Sequence, residues 1–193
     1  MTDHGPVPDA FAQAEARVRA ATFRNDFSVR EIPSPQGVAP FSLAVAGDVR
    51  PDEHGNSPYG TGRFILLHDP DEPPTWGGPF RIVSFAQAPL EPEIGTDPLL
   101  ADVTWSWLID ALESRRAAYH SASGTATKIL STGFGGLAEE GDGAQIELRA
   151  SWTPEGDLRD HIEAWAELVC MLAGLPPGSE QIAVFGARKA ERD

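Results

Sequence analysis

The sequence predicts an α+β fold with a mainly antiparallel sheet of about six strands and helices packed on it, in the order α-β4-α-β2-α. Most strand-like segments follow one another without an intervening helix, and such an order disfavours parallel β-α-β winding. With 193 residues, of which 41% are hydrophobic, the chain can bury one core. We therefore predict a single domain over residues 9–178, between a flexible N-terminus (1–8) and a loose C-terminal tail (179–193).

The first half of the chain predicts one helix and four strands. Apolar residues from Phe11 onward recur every three or four positions over residues 9–22, and Asp9 can cap this helix. Alternating apolar residues predict strands over residues 26–32 and 41–49. The run from Phe64 to Leu67 is apolar throughout and predicts a central strand covered on both faces. A proline-rich loop then leads to a strand over 80–88, expected to be antiparallel to it.

The second half predicts a helix, a hairpin and a final helix. Asp97-Pro98 begins the first helix, whose buried stripe is expected to contain Leu100, Val103, Trp107 and Ala111. Strands over residues 125–132 and 144–152 form the hairpin, across a glycine-rich connection. The last helix is predicted over 157–173, with Gly174 at its C-terminal cap and His161 facing solvent or a carboxylate.

Charge and cysteine content restrict the classes of partner. The formal net charge of −14 disfavours direct binding to nucleic acids and to anionic membranes, because both require clustered cations. Cys170 is the single cysteine, so no intrachain disulfide can form. The N-terminal residues lack the basic start and apolar run of a signal peptide. These features predict a cytoplasmic protein.

Two groups of residues are candidates for acid–base chemistry. His68 and Asp69 lie where a buried strand meets a loop, and Glu91 and Glu93 lie close together before the helix at Asp97. Imidazole and carboxylate groups around one cleft can exchange protons with a substrate. Each group also has a structural explanation, as a turn start and as a solvated connection before a helix cap. No phosphate-binding or metal-binding spacing occurs, so we predict no cofactor and no metal.

Three tryptophans are candidates for protein binding. Trp105 and Trp107 are two positions apart, so on a helix they point about 200° apart and cannot both lie at the centre of a buried stripe. Trp76 lies in the proline-rich loop. A tryptophan left at a surface often marks an interface. A helix that is covered on a broad face would instead bury both of its tryptophans.

Five stretches of sequence together carry a family resemblance. They are Glu31-Ile32-Pro33-Ser34-Pro35-Gln36, Gly62-Arg63-Phe64-Ile65-Leu66-Leu67-His68-Asp69-Pro70, Thr96-Asp97-Pro98-Leu99-Leu100 with Trp105-Ser106-Trp107-Leu108, Arg149-Ala150-Ser151-Trp152-Thr153-Pro154 and Glu163-Ala164-Trp165-Ala166-Glu167-Leu168. In this combination the chain resembles the actinobacterial family known as domain of unknown function 3000, over about residues 10–178. The resemblance brings no catalytic residues with it and implies a cytoplasmic protein.

At the level of fold, the element order is similar to that of type III secretion chaperone-like proteins, although it has an extra strand. The similarity implies a protein that dimerises and holds segments of its partners. Our leading hypothesis is therefore a non-catalytic, homodimeric protein-binding module that uses Trp76, Trp105 and Trp107. The alternative is an enzyme with His68, Asp69, Glu91 and Glu93 around a cleft, and a third hypothesis is an accessory factor that contacts a nucleic-acid enzyme.

Overall fold

A computed structural model describes residues 6–51, 54 and 58–177. Within them the chain forms four α-helices, six strands and a short 3-10 helix. Their bounds are α1 Asp9–Arg19, β1 Phe27–Ile32, β2 Phe41–Val49, β3 Thr61–His68, β4 Phe80–Leu90, α2 Pro92–Gly95, α3 Leu100–Ser114, β5 Tyr119–Thr132, the 3-10 helix Gly135–Glu140, β6 Asp142–Pro154 and α4 Leu158–Leu172. The predicted α+β class and antiparallel sheet are confirmed, with α2 and the 3-10 helix as additions. The predicted tail 179–193 and residues 1–5 of the predicted flexible N-terminus lie outside the described residues.

The six strands form one antiparallel sheet in the order β1-β2-β3-β4-β6-β5. Strand β6 lies between β4 and β5, so the hairpin joins the sheet through its second strand and places β5 at the edge. Strand β1 forms the opposite edge.

All described helices lie on one face of the sheet, which we call the helix face. Helix α4 packs across the four central strands, and α1 and α3 pack against α4. Phe64, Leu66, Ile82 and Trp152 alternate onto this face and are buried. Because neighbouring residues of a strand point to opposite faces, the intervening side chains lie on the other face. We call it the open face, because no described helix packs on it.

Trp165 of α4 is the main contact between the helices and the sheet. A Cβ atom at Gly47 would lie 2.7 Å from its ring, and one at Gly62 would lie 2.9 Å from it. The ring nitrogen donates a hydrogen bond to the carbonyl oxygen of Phe85, 3.1 Å away. Only glycine at these two positions lets a fully buried tryptophan approach the strands so closely, so α4 has one position along β2, β3 and β4.

His161 is completely buried, so the prediction that it faces solvent or a carboxylate is wrong. The Trp152 ring nitrogen donates to His161 Nδ1 at 3.0 Å, and Nε2 lies 3.1 Å from the Glu155 carbonyl oxygen. Since Nδ1 accepts, Nε2 carries the hydrogen and donates to that carbonyl, and the imidazole is neutral. Burial lowers the pKa of His161, against weaker opposing effects of that backbone hydrogen bond and of nearby aspartates.

Three further expectations about local structure are corrected. Pro8, whose backbone is extended, occupies the N-cap position of α1. Asp9 is therefore the first residue of the helix and not its cap. The buried stripe of α3 contains Thr104 and Leu108, whereas Val103 is exposed. On the open face of β3, Leu67 is buried but Ile65 is only half-buried, so the strand is fully covered on both faces only near its end and not along the whole predicted run.

We predict that Gly47→Ala lowers the free energy of unfolding by about 1–3 kcal/mol, the usual cost of overpacking a core. The new methyl group would lie 2.3 Å from the Phe27 ring as well as against Trp165. Gly136→Ala is the matched control, since a Cβ there meets no atom within 4 Å. Urea unfolding curves measure both, and equal effects of the two substitutions would contradict the packing described here.

We predict that His161 makes the protein less stable as the pH falls below about 6.5, the ordinary pKa of histidine. The unfolded chain then binds a proton that the folded chain refuses, because the folded pKa is lowered. The contribution is complete above that pH and is lost progressively below it. In His161→Gln, the free energy of unfolding should therefore fall less steeply than in wild type as the pH is lowered from 7 through about 6.5. Urea unfolding at a series of pH values measures both slopes, and identical slopes for the two proteins would contradict the prediction.

Candidate functional site

The open face carries a row of arginine and phenylalanine side chains on neighbouring strands. Arg63 of β3 is directly opposite Phe85 of β4, and Phe85 is directly opposite Arg149 of β6. Directly opposite residues on one face of an antiparallel sheet have Cβ atoms about 4.5–5.5 Å apart. Phe85 therefore lies between the two arginines along the sheet, and we call Arg63, Phe85 and Arg149 the arginine–phenylalanine row.

The two arginines of the row are only weakly neutralised. The Arg149 guanidinium carbon lies 5.6 Å from the centre of the Phe85 ring, a cation–π distance. Its nearest carboxylate oxygen, on Glu147, is 3.8 Å away, and the Arg149 side chain is 71% exposed. Arg63 is exposed, and its side chain makes no hydrogen bond or ion pair with any residue between 6 and 177 that the structure describes. Both guanidinium groups are thus available to an anion.

Arg30 lies on the same face and is an arginine with a structural role. Its guanidinium forms an ion pair with Asp48, which is buried and also accepts a hydrogen bond of 2.8 Å from the Thr61 hydroxyl. The Asp48 carboxylate is therefore fully used within the fold. Arg63 lies on the same face two strands away, with Ala46 of β2 between it and Arg30, and its side chain has no such partner among the described residues.

Apolar side chains form the floor beside the row. Ile65 and Val83 are directly opposite each other on β3 and β4, next to Arg63 and Phe85. They contribute to a shallow cavity of about 330 Å³. Its lining residues are Arg63, Ile65, Val83, Ser84, Phe85 and Arg149. The site thus combines two cations with a surface of apolar atoms and can hold an anion that carries an apolar group.

A buried arginine closes one end of the open face. Arg81 donates hydrogen bonds to Thr153 Oγ1 at 2.9 Å and to Ser151 Oγ at 2.7 Å, and the Thr153 hydroxyl donates to the carbonyl oxygen of Trp76. Burial lowers the pKa of the Arg81 guanidinium, but an arginine remains charged at neutral pH. The loop that contains Trp76 therefore covers the end of the open face at Thr153. The cavity beside the arginine–phenylalanine row is not lined by this loop.

The structure does not bring the four predicted acid–base residues together. His68 is opposite Phe80 at the start of β4, whereas Glu91 and Glu93 follow the end of that strand at Leu90. The ten steps along the strand from Phe80 to Leu90 span about 33 Å at roughly 3.3 Å per residue. Residues that share one substrate must lie within hydrogen-bond reach of it, so these four do not line one cleft.

The contacts of His68 and Asp69 stabilise the fold. The His68 ring is buried between aromatic rings, 4.5 Å from the centre of Phe80 and 5.8 Å from that of Phe11, and its Nδ1 lies 3.0 Å from the Pro79 carbonyl oxygen. Asp69 accepts a hydrogen bond from the backbone nitrogen of Asp71, as in an ordinary turn.

The three candidate tryptophans are all half-buried. Trp105 lies against β5, since a Cβ at Gly124 would be 2.7 Å from its ring. Trp107 borders the other side of the buried stripe of α3, as the angle between the two positions predicts. Trp76 lies in the loop that covers the end of the open face. Each keeps part of its ring at the surface, so none is withdrawn from contact with a partner.

A second, smaller pocket of about 190 Å³ lies between α4 and the segment after α1. Glu163 accepts hydrogen bonds from the backbone nitrogen of Thr22 at 2.9 Å and from Arg115 at 2.9 Å, and Arg115 also binds Glu167 at 3.1 Å. Both carboxylates are thus bound to Arg115, and Cys170 on the wall of the pocket is almost fully buried. The hydrogen bonds of this pocket therefore link the segment after α1, the end of α3 and α4. The pocket presents no free reactive group.

The described residues contain neither a cluster of metal ligands nor a helix that could span a membrane. Between residues 6 and 177, no group of three or more histidine, cysteine, aspartate and glutamate side chains is placed to hold a metal ion. None of the helices described here is long and apolar enough to cross a membrane.

Nothing in the sequence alone indicates the arginine–phenylalanine row. Arg149 is on the polar side of a clean alternation, and Arg63 directly precedes the apolar run of its strand. Each position alone is ordinary for a strand. Only the register of three strands, which sequence periodicity does not specify, shows that they are neighbours.

We predict that Arg63→Gln leaves the free energy of unfolding within about 0.5 kcal/mol of wild type, as for a surface substitution that removes no contact. Arg81→Gln should lower it by about 1–3 kcal/mol, because buried hydroxyl partners lose their donors. Urea unfolding of both variants measures this difference. A loss in Arg63→Gln as large as that in Arg81→Gln would mean that Arg63 serves the fold.

Comparison with known proteins assigns the chain to a family without an activity attached. No curated protein and no solved structure matches it. A family model described as a protein of unknown function (DUF3000) matches residues 7–182, which include all the elements described above. The chain therefore belongs to the DUF3000 family.

Proposed function

We propose that this protein is a non-catalytic protein-binding module, adaptor-like or chaperone-like, whose open face binds an acidic segment of a partner protein. One observation supports the proposal above all others. Arg63 is an exposed cation without a partner among the described residues, and it stands beside Phe85 and Arg149 on a face that no described helix covers.

The chemistry of the row selects the kind of segment. A guanidinium group presents a planar fork that binds a carboxylate through two hydrogen bonds. Phe85, Ile65 and Val83 offer apolar contact within the same cavity. An extended peptide in which Asp or Glu alternates with apolar residues would place its carboxylates on the arginines and its apolar side chains on the floor. Such a segment is the ligand that we assign to the site.

Net charge favours a protein ligand over a nucleic acid. With a formal charge of −14, the chain as a whole repels a polyanion, and two arginines give too few phosphate contacts to offset that repulsion. A short segment with few carboxylates avoids most of it. The single cysteine is free and buried, which suits a reducing compartment, so we place this binding in the cytoplasm.

Fluorescence anisotropy with a labelled peptide of alternating glutamate and leucine tests the proposal. The wild-type protein should bind this peptide, and binding should weaken as salt is added, because ions screen the arginine–carboxylate attraction. Arg63→Gln should weaken it about tenfold or more, the usual effect of losing a charge-assisted hydrogen bond. Arg17→Gln, which removes an exposed arginine on α1 and changes the net charge equally, should bind as wild type does.

Three outcomes would contradict the proposal. One is that Arg63→Gln and Arg17→Gln bind the peptide equally. Another is that a peptide of alternating lysine and leucine binds as tightly as the acidic one. The third is salt-sensitive binding of a single-stranded oligonucleotide by the chain alone, which would refute the argument from net charge.

A further inference from the structure

The outer edge of β5 is a long strand edge without a partner strand in the described part of the chain. Residues 123–132 pair without interruption with residues 142–151 of β6 on one side. No described strand lies on the other side. Half of the backbone N–H and C=O groups of such a strand point outward, in the spacing that another β-strand needs.

The two edges of the sheet differ in how they are protected. Strand β1 is only six residues long, and it carries Arg30 and Glu31. Glu31 is paired with Arg19 of α1 at 2.6 Å. Short length and charged side chains are the usual means by which proteins block pairing at an edge. Strand β5 is 14 residues long, and over residues 123–132 its one charged side chain is a lysine.

The side chain of that lysine is bound within its own chain and therefore does not block pairing at the edge. The Nζ atom of Lys128 donates a hydrogen bond to the carbonyl oxygen of Asp97, 3.1 Å away, between α2 and α3. Strand β5 contains no carboxylate, although the chain has 29 of them. For two copies that each carry a charge of −14, this strand therefore adds no carboxylate of its own to the contact, and the acidic group nearest to its middle by register is Glu147 of β6, opposite Thr127.

We propose that β5 pairs antiparallel with β5 of a second copy of this chain, across a two-fold axis at Thr127. A second copy supplies an identical strand of small, uncharged side chains, and a two-fold axis lets each strand bind the other with the same residues. An axis at Lys128 would set two lysines directly opposite each other. An axis at Thr127 instead places Lys128 opposite Ala126 of the second copy.

This register also covers an exposed apolar side chain. Leu130, whose exposure is 57%, would lie opposite Gly124 of the second copy. Trp105 packs on Gly124 within each chain. A leucine that is exposed in one chain would therefore contact the half-buried tryptophan of the other, on the helix face and on both sides of the axis. The inference gives Trp105 a role at an interface, and it is independent of peptide binding on the open face.

Sedimentation equilibrium over a range of concentrations tests the pairing. The wild-type chain should dimerise, and added salt should strengthen the dimer, because it screens the repulsion between two acidic chains. Thr127→Lys should weaken dimerisation at least tenfold, since like charges directly opposite each other in a sheet are destabilising. Ser28→Lys, an exposed position on β1, makes the same change of charge at the other edge and should leave the dimer intact.

Hydrogen exchange gives a readout that does not depend on a variant. The amides of residues 123–132 that point away from β6, about half of them, should become more protected as the wild-type concentration rises, and this gain should be absent in Thr127→Lys. A chain that remains monomeric at all concentrations would overturn the inference. So would a dimer in which these amides gain no protection, or one that Thr127→Lys and Ser28→Lys weaken equally.

Discussion

The contact of Trp165 with Gly47 and Gly62 is the constraint on which the rest of the structure depends. It positions α4 across the central strands, and α1 and α3 then pack against α4. The hydrogen bond from its ring nitrogen to the Phe85 carbonyl adds a polar constraint at the same strands. Because the core is complete on this side of the sheet, the open face contributes little to it, and its residues are available for other roles.

The open face differs in character from most of the molecule. In a chain with 29 acidic and 15 basic residues, the arginine–phenylalanine row presents two cations and an aromatic ring together. Arg30 and Arg81 on the same face are held by Asp48 and by buried hydroxyl groups. This contrast separates arginines that stabilise the fold from the arginines that we assign to a ligand.

Periodicity predicted the elements well because their residues face either a core or water. The helix stripe of α4, the strand at residues 41–49 and the antiparallel sheet followed from local patterns. Features that depend on contacts between distant elements were not predictable in this way. His161 is four residues from Trp165 on a helix, and nothing local shows that its ring meets Trp152. The distance between His68 and Glu91 likewise depends on the length of β4. The sequence therefore did not show that these two residues lie near opposite ends of that strand.

We propose that acidic protein segments bind to the open face and not to the helix face. Two-dimensional NMR of the isotopically labelled protein, titrated with the glutamate–leucine peptide, locates the bound ligand directly. The amide signals that move should belong to residues 63–65, 83–85 and 149–151. Shifts confined to α1 and α4, or no shifts at saturating peptide, would contradict it.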